Sequence, residues 1–154
     1  MDTLIDIKKY LPHRAPMLMV DLILRMDDEI VETVFEVKDN NIFVLNGIFT
    51  ESGLIEHAAQ TCSSVVAKDY FVDEDKVDKM EVDVVGFISA IKTLKIHGLA
   101  KVGDNLFTKA VLISKFVTEE YSLCTMNFQT FKDDELLLEG EINLFIQDNL
   151  KVTQ

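Results

Sequence analysis

The chain has 154 residues, 48% of them apolar and 27% charged, the balance of a folded globular domain rather than a disordered or fibrous chain. Acidic residues outnumber basic ones 27 to 15, giving a formal charge of −12 and excluding a sequence-wide basic surface for nucleic acid or anionic lipid. Cys62 and Cys124 show neither a CxxC spacing nor a cysteine framework, so a reducing compartment is expected and no metal or cofactor is. Met1 to Tyr10 has no basic region leading into a long apolar run, and no later stretch approaches the roughly 18 apolar residues of a spanning helix, so the expectation is cytoplasmic.

Thr3 to Tyr10 suits a short helical segment that stops before Pro12, because the residue ahead of a proline is pushed out of the helical region. Met17 to Leu24 reads as a buried strand, Asp27 and Asp28 as a turn, and Ile30 to Val37 as the hairpin partner. From Ser52 to about Phe71 the residues Leu54, Ile55, Ala58, Ala59, Cys62, Val65 and Val66 recur at helical spacing. Ser52 is the expected N-cap, and the small residues Gly53, Ala58 and Ala59 would let a sheet wrap closely around the helix. The acidic stretch from Asp73 to Asp83 reads as a solvated loop. Four long strands follow, Val85 to Ile96, Leu106 to Val117, Tyr121 to Lys132 and Leu136 to Gln147, with turn residues between them that suit antiparallel meanders. With no linker or repeat, residues 1–154 form a single domain of the α+β class, in which one helix packs on one curved antiparallel sheet. That is the outline of a hot-dog fold.

Glu56 lies within the first turns of the most apolar helix. At 100° per residue Gln60 and Ser63 fall within about 40° of it, so the three make one polar line where a carboxyl can serve as general acid or base. His57 is a full 100° round the helix and does not pair with Glu56 on one substrate atom. His13 stands between Pro12 and Pro16 in a stiff segment that holds a side chain in place, suited either to anchoring the loop or to catalysis. His97 reads as a surface residue and Cys62 as a small apolar core residue. Between Val84 and Lys115 the lysines Lys92, Lys95, Lys101, Lys109 and Lys115 face one acid, Asp104. That local charge of +4 leaves −16 elsewhere. Residues 92 and 95 point to opposite faces of a strand, so these lysines do not form one patch.

Leu11-Pro12-His13-Arg14-Ala15-Pro16-Met17-Leu18-Met19-Val20-Asp21 resembles the LPHR-x-P-x-L-x-V-D signature of 3-hydroxyacyl-(acyl-carrier-protein) dehydratases of the FabZ type. Leu54-Ile55-Glu56-His57-Ala58-Ala59-Gln60 resembles that family's helix motif, Gly86 to Lys92 its tunnel-lining strand, and Lys101-Val102-Gly103-Asp104 its PGD turn. The resemblance covers nearly the whole chain and implies the hot-dog fold independently. It places Glu56 on the catalytic glutamate, but Ile48 of Gly47-Ile48-Phe49-Thr50 stands where the family has its catalytic histidine. Dehydratase-like proteins of aryl-polyene and flexirubin-type pigment clusters share this departure and are more similar.

What the resemblance implies is a 3-hydroxyacyl thioester dehydratase-like lyase of fatty-acid or polyene biosynthesis, acting on acyl-carrier-protein or CoA thioesters. Glu56 would protonate the departing hydroxyl, and His13, or a histidine from a partner subunit, would take the C2 proton. Arg14 would meet the phosphopantetheine phosphate, and the helix start at Gly53 and Leu54 would polarise the thioester carbonyl. Gln60, Gly86 and Phe87 would contact substrate. The family also implies a homodimer or trimer of dimers. Two other readings fit the same residues: a thioesterase using the helix glutamate, and a non-catalytic acyl-binding subunit beside a histidine-bearing hot-dog partner.

Overall fold

The computed structural model describes residues 5–71 and 84–148. The acidic stretch from 73 to 83 lies outside them, as does the start of the proposed N-terminal helix. What remains of that helix is a single 3-10 turn, Ile7–Lys9, capped by the Asp6 carboxylate on the Lys8 N–H at 3.0 Å.

A hairpin follows, β1 (Leu22–Met26) and β2 (Ile30–Glu36). Its turn is built by Asp27, whose carboxylate accepts the N–H groups of Glu29 at 2.9 Å and Ile30 at 2.8 Å. Met17 to Val20, expected to begin the first strand, is not strand. Its backbone groups bond to helix side chains instead of a neighbouring strand, for the reason given below. A second, very short hairpin pairs β3 (Val44–Leu45) with β4 (Ile48–Phe49) across Asn46 and Gly47, both at positive φ, the backbone that a two-residue type I′ turn demands.

The long helix, α1 (Glu51–Phe71), begins one residue earlier than expected. Thr50 rather than Ser52 caps it, with its Oγ1 accepting the Gly53 N–H at 3.4 Å and donating to Phe43 O at 2.9 Å. Gly53 is needed there, because a Cβ would stand 2.5 Å from the Phe49 ring. At 1.5 Å per residue α1 is about 30 Å long, enough to run beneath the whole sheet. It presents Leu54, Ala58, Cys62 and Val66 to the core, all at most 1% exposed.

The remaining strands are β5 (Val84–Ile96), β6 (Ala100–Lys101), β7 (Asn105–Val117), β8 (Tyr121–Lys132) and β9 (Glu135–Asp148). Alternate residues of β2, β7, β8 and β9 are buried, the period-two pattern of a sheet covered on one face. The six-stranded sheet runs β1-β2-β7-β8-β9-β5. Only β7, β8 and β9 form a meander. β5 crosses to the far edge beside β9, and β6 carries the chain back by pairing with β4. Register shifts at Ile88/Ala90, Leu112/Ser114 and Thr130/Phe131 are bulges that bend the strands around the helix. The result is a hot-dog fold.

Candidate active site

Two side chains of α1 hold the segment that precedes β1. Gln60 Oε1 accepts the Met19 N–H at 2.7 Å, and Gln60 Nε2 donates to Met17 O at 2.7 Å. The same nitrogen donates to Glu56 Oε1 at 2.9 Å. From the next face of the helix, His57 Nδ1 lies 2.6 Å from Met19 O. Residues 11–20 are thereby strapped across the helix instead of joining the sheet, which is why Met17 to Val20 departs from the expected strand.

The strap delivers His13 to Glu56. His13 Nε2 lies 3.9 Å from Glu56 Oε1, with each side chain about a quarter exposed. They open onto a cavity of about 170 Å³, bounded on the helix side by Gln60 and Ser63 and on the sheet side by Gly86, Phe87, Ile88 and Leu144. The Ser63 hydroxyl is turned back onto Ala59 O at 2.9 Å. Burial lowers the His13 pKa below the ordinary imidazole value; Glu56 opposes this and Arg14 reinforces it. His13 Nδ1 is sealed from solvent and, among the described residues, has no hydrogen-bond partner. Nδ1 goes unpaired in either tautomer, so the Glu56 carboxylate, which only accepts, decides: the neutral ring carries its proton on Nε2, facing Glu56 and the cavity.

The structure thus brings His13, Glu56, Gln60, Gly86 and Phe87 together. It does not bring Gly53 and Leu54 with them. The Gly53 N–H donates to Thr50 Oγ1, the Leu54 N–H donates to Thr50 O at 3.0 Å, and the Leu54 side chain is fully buried. At the helix start those donors are already used, and neither residue lines the cavity. Gln60 lines it, with both ends of its amide engaged by the strap and Glu56. Arg14 folds back onto the carbonyls of Leu11 at 2.8 Å and His13 at 2.7 Å. Ile48 sits on β4 and is not among the residues lining the cavity.

His57 is fully buried, and burial lowers its pKa to about 4. Cys62 is equally buried and its thiol is pushed up, which leaves it inert as a nucleophile. His97 pairs with Glu139 at 3.0 Å on the surface, and Lys92 with Glu141 at the same distance. What sequence reasoning missed is the strap. Its signal was available: a histidine and a glutamine on the helix, one turn apart, opposite a proline-bounded segment that cannot supply a regular ladder.

The profile of the ApeP-like family, described as ApeP dehydratase, matches residues 5–154. The chain belongs to the ApeP-like dehydratase family. Among solved structures, the ApeP-like chain resembles a chain of the dehydratase heterocomplex ApeI:P from Xenorhabdus doucetiae at 16% identity and a TM-score of 0.77, covering 97% of this chain and 96% of that one. It also resembles a hypothetical thioesterase with coenzyme A from Streptococcus pneumoniae TIGR4, at 16% identity and a TM-score of 0.57 over 82% and 84% of the two chains. A third likeness is to the uncharacterised protein PH1136 from Pyrococcus horikoshii, at 16% identity and a TM-score of 0.62 over 92% and 93%. At these identities the likenesses establish the hot-dog fold of this ApeP-like protein. No curated protein matches the chain. Among the described residues no helix is long and apolar enough to cross a membrane.

Proposed function

We propose that residues 1–154 act as one hot-dog domain that dehydrates a 3-hydroxyacyl thioester, carried on acyl-carrier protein in the cytoplasm and destined for a fatty or polyene chain. The observation that carries this reading is the 3.9 Å approach of His13 Nε2 to Glu56 Oε1 on a shared cavity. Family membership supports the reaction class.

The His13 tautomer supports an assignment of roles that differs from the sequence expectation, because an Nε2–H cannot take the C2 proton. Glu56 takes the C2 proton, the C2–H electrons form the C2=C3 bond, and the C3–O bond breaks. Glu56 then hands that proton to the departing hydroxyl, which leaves as water, while His13 Nε2–H holds the same oxygen by a hydrogen bond and keeps its own proton. Glu56 is thereby returned to the carboxylate and His13 stays neutral, so the site is reset. Gly86 and Phe87 line the acyl path, and Arg14, beside His13, meets the phosphopantetheine phosphate once it leaves the carbonyls it holds. A second hot-dog subunit, identical or histidine-bearing, completes the assembly; the likeness to a chain of the ApeI:P heterocomplex supports such a partner.

Purified protein with a 3-hydroxyacyl-acyl-carrier protein should yield the enoyl thioester, seen by mass as the loss of water, with no free thiol. Glu56→Gln should lower turnover by about two to four orders of magnitude, the range of general acid–base catalysis. Unchanged turnover in that variant would remove Glu56 from the chemistry. Thiol release would replace dehydration with thioester hydrolysis, and activity only after adding a histidine-bearing partner would make this chain the supporting subunit.

A further inference from the structure

His57 has no contact with the cavity, yet it is the most completely bonded histidine in the chain. Its Nδ1 is 2.6 Å from Met19 O and its Nε2 is 2.7 Å from Thr108 Oγ1 on β7. Thr108 Oγ1 in turn lies 2.7 Å from Thr130 Oγ1 on β8. His57, Thr108 and Thr130 are all essentially unexposed, so no bulk water competes for these groups.

The direction of the bonds follows from chemistry. A carbonyl only accepts, so His57 Nδ1 carries the proton and gives it to Met19 O. Nε2 is then a bare acceptor, and the Thr108 hydroxyl donates to it. Thr108 Oγ1 has a lone pair left, which accepts from the Thr130 hydroxyl. The ring plane is fixed further by Phe35, stacked at a centroid distance of 5.4 Å.

We propose that His57 is a positioning residue for the candidate site: a relay from the sheet through Thr108 and His57 clamps Met19 O and so sets where the strap holds His13 against Glu56. The clamp complements Gln60, which grips the Met19 N–H and Met17 O and also bonds Glu56. Peptide groups on both sides of Met19 are thereby pinned to two side chains of the helix that bears Glu56. The proposal rests on the reading of His13 and Glu56 as partners, and a misplacement of about 1 Å between such groups is enough to lower a rate by about two orders of magnitude.

Two near-isosteric replacements separate positioning from packing. An asparagine amide reaches the place of Nδ1 and donates to Met19 O, whereas a glutamine amide reaches the place of Nε2 and serves Thr108 alone. Each leaves one core polar group unpaired, so the two variants should lose similar stability. His57→Asn should keep kcat for dehydration within about threefold of the wild type, and His57→Gln should lose at least about tenfold in kcat with KM little changed. In imidazole NMR, His13 should keep its depressed titration in His57→Asn and move toward the ordinary histidine value in His57→Gln, as the strap loosens and water reaches Nδ1. Equal behaviour of the two variants, or an effect that merely tracks melting temperature, would overturn the proposal. The titration stands even if the wild type dehydrates nothing, so failure of the function and failure of the clamp are distinguishable. If neither variant folds, the wild-type nitrogen spectrum decides: a His57 proton on Nδ1 sustains the relay, and one on Nε2 sinks it.

Discussion

The buried imidazole of His57 makes the stability of the protein depend on acidity in a definite window. Its folded pKa is about 4 against an ordinary 6.5. Above pH 6.5 the ring is neutral in both states and contributes no pH dependence. Between 6.5 and 4 the unfolded chain binds a proton that the folded chain refuses, so stability falls as the pH drops. Below 4 both states are protonated and the loss levels off at about 3 kcal/mol. The His13 shift has the same sign and adds to the fall. Urea denaturation at pH 7 and at pH 4.5 should show the wild type losing more stability than His57→Asn; equal losses would place the acid sensitivity elsewhere. At this scale Glu56 was legible in the sequence, because a carboxylate in an apolar helix pattern has few structural reasons to be there. The duty of His57 was not, because it depends on Met19 and Thr108, which lie far from it along the chain and come together only in the fold.

Among the elements, the helix and the long strands follow from periodicity, and their observed ends agree with the expected ones to within a residue or two. The start of α1 shows what periodicity leaves out. Ser52 and Thr50 are both good cap types, and the choice fell to Thr50 because Phe43 O offers its hydroxyl a second bond. Thr50→Ala should cost about 1 kcal/mol and fray the first helical turn, read as a lower melting temperature and faster amide exchange at Gly53 and Leu54. A comparable Ser52→Ala loss would return the cap to Ser52. The short hairpin at Asn46-Gly47 was open to prediction from that dipeptide alone. The crossing of β5 to the far edge was not, since adjacent long strands read equally well as a continuous meander. The close approach that seats it is at Gly140, where a Cβ would stand 2.5 Å from Thr93 O.

For the molecule as a whole, the excess of negative charge and the local surplus of lysine on β5 to β7 do not produce a uniform basic face. Lys92 is tied to Glu141, while Lys95 and Lys109 share an outer-face groove with Glu139. More telling is β5 itself, a thirteen-residue strand at one edge of the sheet with Val85, Phe87 and Ile91 each more than a third exposed. Long apolar edges invite pairing with another chain. If the proposed hot-dog partner docks there, Ile91→Lys should shift the sedimentation coefficient to that of a monomer while leaving the circular dichroism spectrum intact. An unchanged coefficient would move the interface to another surface. The strand order also fixes how the chain must fold. β7, β8 and β9 are neighbours in sequence and can pair early, but β2 meets β7 only after the chain has laid down α1 and β5, with Ile30 opposite Val111. Closing that long loop is an entropic barrier crossed before its contacts form, so refolding belongs in the millisecond-to-second regime of non-local β topologies, with the hairpin of β1 and β2 docking last.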